Sequence, residues 1–162
     1  MGDNPADRAS RGRAAPSNPP SGPGSRVVER LDERECLRLI DALRVGRLGY
    51  TGRFGPTILP VRYELYEGSI VFHTLQGTFT EEDLRTGIAL AEYEVAFEVD
   101  QYDTEGHAGW VVEVVGPAHH VDTEAERAAI VNAGADPWPE AESEHLLRVQ
   151  PVRITGLRIH RP

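Results

Sequence analysis

The stretch Phe72–Asp83, which reads FHTLQGTFTEED, combines residue types that could bind a phosphate group. Gly77 lets a ligand approach the backbone closely, and Thr74 and Thr78 offer hydroxyl groups. If a helix begins near Thr80, its first backbone N–H groups have no partner within the helix and point towards an anion. Such a strand-to-helix turn would form a phosphate cradle.

The acidic end of the same stretch supports a different interpretation. Glu81, Glu82 and Asp83 would occupy the positive end of that helix. There each carboxylate stabilises the helix by about 0.3–1 kcal/mol and repels a phosphate. The residues alone therefore leave two possibilities open, a phosphate cradle and a helix start that caps itself.

The other reactive side chains form no catalytic or metal-binding pattern. The sequence has no P-loop, no Rossmann fingerprint and no nucleophile elbow. His119 and His120 are adjacent on a predicted strand, so their side chains point to opposite faces and cannot bind one metal ion together. Cys36 falls at the helical spacing of apolar residues and is expected to be buried. One acidic run is expected to face solvent: Glu140, Glu142 and Glu144.

Three helices are predicted around and within this region. Asp32 is a helix N-cap, and Glu35 completes a capping box three residues later. Further helices are predicted over Thr80–Ala91 and Thr123–Ala133, the second of which begins with a Thr-x-x-Glu box.

Six segments rich in β-branched and aromatic residues predict strands. Tight turns separate most of them, which favours an antiparallel barrel or sandwich, since hairpin-length connections cannot join parallel strands. The six segments are residues 44–51, 56–66, 69–74, 95–100, 110–121 and 152–159.

Composition and charge limit the possible partners and the location of the protein. The 162 residues have a formal net charge of −9, which disfavours binding to nucleic acid or anionic lipid. No apolar run approaches the roughly 18 residues of a membrane span, and the single cysteine fits a reducing cytoplasm. Residues 1–25 are predicted to be a disordered tail, and residues 26–162 to form one domain.

Four short motifs occur in a characteristic order along the chain. They are Pro60-Val61-Arg62-Tyr63, Phe72-His73-Thr74, Ala96-Phe97-Glu98-Val99-Asp100 and Gly109-Trp110-Val111-Val112. From about Val27 onwards, the chain resembles the pyridoxamine 5′-phosphate oxidase-like split-barrel proteins. The resemblance is to the branch that includes nitroimidazole-resistance proteins and many actinobacterial flavoproteins.

The resemblance implies a mostly β fold, a six-stranded antiparallel split barrel with flanking helices. It also implies a homodimer that binds FMN at its interface and an oxidoreductase that acts on a small organic acceptor. His73 falls where some relatives carry a histidine beside the flavin, so it could donate a proton to the substrate. The alternative is a strand histidine that faces the dimer interface. The cofactor-binding residues implied by the resemblance are Arg62, Tyr63, His73, Thr74, Gly77, Thr78, Arg85 and Trp110.

The sequence departs from the family pattern at the phosphate. Phe79 stands where relatives usually carry a lysine, so Arg85 or Arg62 would have to bind the phosphate, although a surface position is the default interpretation of both arginines. Two rival functions therefore stay open. One is a non-enzymatic split-barrel module that binds haem, a pigment or nothing, and the other is a deazaflavin-dependent reductase.

Overall fold

The computed structural model describes residues 26–75, 78–84, 93–103, 105, 107–137 and 144–160, and the predicted tail lies outside them. Eight strands and three helices occur in these residues. The strands are β1 (Val27–Leu31), β2 (Val45–Gly52), β3 (Gly55–Tyr66), β4 (Ser69–Leu75), β5 (Tyr93–Asp103), β6 (Ala108–His120), β7 (Glu144–Val149) and β8 (Arg153–His160). The helices are α1 (Glu33–Asp41), α2 (Phe79–Leu84) and α3 (Glu124–Asn132).

Six of the strands close into an antiparallel barrel. Their order is β6-β5-β2-β3-β4-β7, and β7 pairs back onto β6 between Ala118↔Val149 and His120↔Leu147. Strands β8 and β1 extend the sheet outwards from β6. The predicted mostly β split barrel is therefore confirmed.

One barrel strand differs from the sequence prediction. Five predicted segments form β2 to β6, but the sixth, residues 152–159, forms β8 outside the barrel. The barrel is closed instead by β7, which begins at Glu144, a residue that had been assigned to a solvent-exposed acidic run. Glu140 and Glu142 lie outside the described residues. Strand β1 was also not predicted.

Two apolar cores hold the barrel and its flanking helices together. The interior core contains Tyr63, Phe72 and Phe97, and the rings of Tyr63 and Phe97 meet edge to face with centroids 5.1 Å apart. A smaller core contains Val71 of β4, Ile130 of α3 and Leu146 of β7. The smaller core fixes α3 against the outer side of β4 and β7.

The helix signals of the sequence are largely confirmed. The Asp32 side chain accepts a hydrogen bond from the Glu35 N–H at 2.8 Å, and Thr123 does the same for Glu126 at 3.3 Å. Cys36 is fully buried, and burial raises the pKa of its thiol. Helix α2 begins at Phe79, and residues 85–91 of the predicted helix lie outside the described residues. Within the described residues, no helix is long and apolar enough to cross a membrane.

Candidate functional site

An open groove of about 370 Å³ lies on the outer face of the barrel. Gly49 of β2 pairs with Ile58 of β3 and with Ala96 of β5, and Ala96 pairs with Val115 of β6. These four residues line the groove, while their sequence neighbours, such as Leu48 and Phe97, belong to the interior core. Because strand side chains alternate between faces, these four positions face away from the barrel interior.

Small residues form the floor of the groove. A Cβ atom added to Gly49 would lie 3.6 Å from the Ala96 carbonyl oxygen, which is ordinary van der Waals contact. Because neither Gly49 nor Ala96 has a long side chain, the floor of the groove is flat. Ile58, with 74% of its surface exposed, lies beside this floor. Such a floor suits a flat, largely apolar ring better than a branched polar ligand.

The β2–β3 turn continues from one end of the groove. Thr51 and Pro56, which line the groove, are paired across the two strands, and Gly52 and Gly55 form the last pair before the turn. Gly55 has a φ of +103°, a conformation that favours glycine. Arg53 therefore lies in the turn immediately beyond the groove.

Arg53 joins this turn to α2. Its Nε atom lies 2.6 Å from Asp83 Oδ1, and a terminal guanidinium nitrogen lies 3.0 Å from Glu82 Oε2. The hydrogen bond to Asp83 raises the pKa of Arg53 above its usual value, so the guanidinium stays charged. A Cβ atom at Gly52 would clash with Asp83 Oδ2, so glycine at this position lets Asp83 pack close to the turn.

The carboxylates of α2 are all directed to basic partners. Arg53 contacts Glu82 and Asp83, whereas Glu81 is 4% exposed and its carboxylate lies 3.8 Å from His145 Nε2. The sequence had suggested that these carboxylates would repel an anion. Their partners reduce that repulsion, because part of the negative charge is already offset within the protein.

The start of α2 caps itself. Thr78 Oγ1 accepts a hydrogen bond from the Glu81 N–H at 3.3 Å, and the Thr78 carbonyl accepts one from the Glu82 N–H at 3.0 Å. Thr80 Oγ1 is 3.1 Å from the hydroxyl of Tyr50, whose side chain belongs to the interior core, so this contact ties α2 to the inner face of β2. Among the predicted cofactor residues that the structure describes, Thr78 is the one at the start of α2.

Two other predicted residues lie on β4, on opposite sides of the strand. His73 packs beneath the segment after α3, where its Nε2 is 2.7 Å from Asp136 Oδ1; the two side chains are 5% and 7% exposed. Thr74 is buried, and its hydroxyl has no hydrogen-bond partner among the described residues. Neither residue lines the groove.

The remaining predicted residues are not gathered at the groove. Tyr63 is fully buried, its hydroxyl donates to the Ile40 carbonyl, and burial raises its pKa. Trp110 belongs to the interior core, whereas Arg62 is exposed on β3. Gly77 and Arg85 lie outside the described residues.

The histidine pair on β6 has separate surroundings. His119 Nε2 is 3.1 Å from Glu126 Oε1 of α3, whereas the His120 ring meets the His145 ring with centroids 5.7 Å apart. The two histidines have different partners because successive side chains of a strand point to opposite faces. In the described part of the chain, no three His, Cys, Asp or Glu side chains are placed to hold a metal ion.

Neither the groove nor the role of Arg53 could be predicted from residue types. Gly49, Ala96 and Val115 carry no reactive group, and they meet only because β2, β5 and β6 are neighbours in the sheet. The Gly-Arg-Phe-Gly turn was noticeable as a strand break, but nothing in it indicated contact with α2.

Comparisons with known proteins agree with this fold. The family described as pyridoxamine 5′-phosphate oxidase matches residues 32–158. An uncharacterized protein of Mycobacterium tuberculosis, Rv0080, is 30% identical over 135 residues, covering 83% of this chain and 88% of its own length.

Solved structures share the architecture. The FAD binding protein from Mycobacterium smegmatis has a TM-score of 0.65 and 32% identity, covering 80% of this chain and 98% of its own. A FAD-binding protein from Mesorhizobium loti has a TM-score of 0.63 with 21% identity, covering 83% and 98% of the two chains. The second likeness concerns the fold alone.

Proposed function

The chain belongs to the pyridoxamine 5′-phosphate oxidase family, and on that premise we propose that it is a flavin-dependent oxidoreductase whose cofactor is FMN. The observation that carries the proposal is the outer groove, with its flat floor of Gly49 and Ala96 and with the β2–β3 turn that carries Arg53 at one end. The similar protein from Mycobacterium smegmatis is described as FAD binding, which supports a flavin as the ligand class.

The residues present suit such a cofactor. Gly49, Ala96 and Val115 offer an apolar surface for a ring system, and the hydroxyl of Thr51 can meet a polar chain. A bound flavin would supply hydride acceptance at its N5 atom, and the protein would supply binding, orientation and electrostatic tuning. The substrate is proposed to be a small organic acceptor.

A second copy of the chain would complete the site. The groove is open, and Ile58 beside it exposes 74% of its surface, so a partner that covered this face would bury both. A homodimer that covers this face would exclude water from the ring and supply residues from the partner. The cytoplasm is the proposed location.

His73 has a narrower proposed role. It would act as a proton donor only if the segment that carries Asp136 moved away, because its side chain is 5% exposed in the single chain. This burial favours a second candidate function, a non-enzymatic split-barrel module that binds a flavin or another flat ligand without turning it over.

The first experiment is a visible absorption titration with FMN, FAD and riboflavin, followed by dialysis. Retained flavin bands are expected, and Ala96→Leu is expected to weaken binding about tenfold, because the larger side chain fills the groove floor. Val111→Leu, on an outer-face residue that does not line the groove, is the control. Loss of all three flavins on dialysis would rule out a flavoprotein, and equal effects of the two variants would rule out the groove as the site.

Flavin turnover separates the two functions. An oxidoreductase is expected to reoxidise its reduced flavin faster with an organic acceptor than free flavin does. Retained flavin without such acceleration across a panel of acceptors would favour the binding module. A deazaflavin that displaces FMN at lower concentration would favour the deazaflavin-dependent alternative.

A further inference from the structure

Because Phe79 stands where relatives usually carry a lysine, another cationic side chain would have to bind a flavin phosphate. Arg53 lies in the turn that begins where the groove ends, and it contacts α2 through two carboxylates. The two carboxylates differ in how far they are buried. The Asp83 side chain is 8% exposed and packs against Gly52, whereas the Glu82 side chain is 48% exposed.

This difference makes Arg53 suited to an exchange of partners. An ion pair open to solvent contributes little to stability, so the contact with Glu82 is easily given up. A phosphate offers three charged oxygens with a geometry that matches the guanidinium fork. The buried Asp83 would meanwhile keep the guanidinium positioned.

We propose that Arg53 binds the phosphate group of the flavin, exchanging its contact with Glu82 for the phosphate while keeping its contact with Asp83. This inference rests on the proposed function. It assigns the phosphate to the β2–β3 turn and not to Arg62 or Arg85, and it gives Glu82 the role of an internal competitor for the same guanidinium.

Arg47 provides a matched control on the same strand. It also contacts two carboxylates, those of Glu98 and Asp100, and its side chain is 51% exposed against 42% for Arg53. It does not line the groove and does not contact α2 in the described residues. A loss of general surface charge would therefore affect both arginine variants equally, whereas a phosphate contact would affect only Arg53.

The experiment measures the dissociation constants of FMN and riboflavin for the purified full-length protein and its variants. Arg53→Ala is expected to weaken FMN binding about tenfold or more and to leave riboflavin, which has no phosphate, within about twofold. Arg47→Ala is expected to change neither ligand. Glu82→Gln is expected to strengthen FMN binding about two- to fivefold, because it weakens the competitor.

Several results would overturn the assignment. Equal losses for Arg53→Ala and Arg47→Ala, an equal loss of riboflavin and FMN affinity, or weaker FMN binding in Glu82→Gln would each do so. Thermal unfolding of every variant checks that α2 and the turn remain folded, and Arg53→Gln repeats the test if the alanine variant unfolds early.

A failure of the proposed function is distinguishable from a failure of this inference. If neither flavin binds, inorganic phosphate is titrated while the backbone amide signals of residues 52–55 are followed by NMR. Shifts that appear in the natural protein and in Arg47→Ala, but not in Arg53→Ala, would retain the phosphate site without the flavin. No shift in the natural protein would overturn it.

Discussion

At the scale of single residues, the buried pair of His73 and Asp136 fixes β4 to the segment after α3. Their side chains are almost fully buried, and His73 Nε2 lies 2.7 Å from Asp136 Oδ1. In the His119–Glu126 pair, which joins β6 to α3, the side chains are 19% and 25% exposed. Burial determines how much such a pair matters, because a lost partner leaves a buried polar group that water cannot reach.

Asp136→Ala is therefore expected to lower the free energy of unfolding by about 3 kcal/mol. Glu126→Ala is expected to lower it by about 1 kcal/mol or less, because Glu126 and its partners His119 and Arg148 are all partly exposed and water can replace the lost contacts. Urea unfolding of the two variants gives the comparison. Similar losses for both would contradict the view that burial sets the importance of these pairs.

Some of the residue contacts could be predicted from the sequence. The caps at Asp32 and Thr123 could be predicted, because their hydrogen bonds are local and depend on residues three positions apart. The partner of His73 could not be predicted, because Asp136 follows a different element and reaches β4 only through the packing of α3.

At the scale of elements, Glu35 connects α1 to β8. Its carboxylate contacts Arg38 at 2.7 Å on the helix and Arg158 at 2.6 Å on the strand. Hydrogen bonds from Arg38 first, and then from Arg158, lower the pKa of Glu35 from 4.5 to about 2. The capping box was expected at this residue, and its side chain instead joins two elements.

A carboxyl group whose pKa is lower in the folded state than in the unfolded state stabilises the fold at pH values above its unfolded-state pKa. This contribution is lost as the pH falls through the folded-state pKa. The contribution of Glu35 is therefore expected to disappear between about pH 4.5 and pH 2. Glu35→Gln should flatten the dependence of unfolding free energy on pH in this window, whereas Glu33→Gln, on an exposed residue of the same turn, should not. An unchanged slope in Glu35→Gln would contradict the role of this contact.

Strand prediction succeeded where one face of a strand is buried. In β5, Val95, Phe97 and Val99 point into the core and alternate with more exposed residues, so the period of two is visible. In β7, the consecutive residues Leu146 and Leu147 enter different cores. Both faces of that strand are covered, which removes the alternation and explains why β7 was missed.

At the scale of the whole molecule, one substitution can test both the proposed homodimer interface and the groove. Ile58→Arg is expected to shift the protein towards a monomer in sedimentation velocity and to weaken flavin binding, because a charge would be buried in the interface. Val28→Arg, on the outer strand β1 and 60% exposed, should leave both unchanged. A protein that is a monomer before substitution would contradict the dimer.

The position of β7 in the chain has a consequence for synthesis. Strand β7 pairs with both β4 and β6, yet six of the other described strands leave the ribosome before it. Until it emerges, these two strands keep unpaired backbone edges of the kind that join to other chains. A nascent chain stalled before residue 144 is therefore expected to engage chaperones or aggregate, whereas one released after β7 can close its barrel.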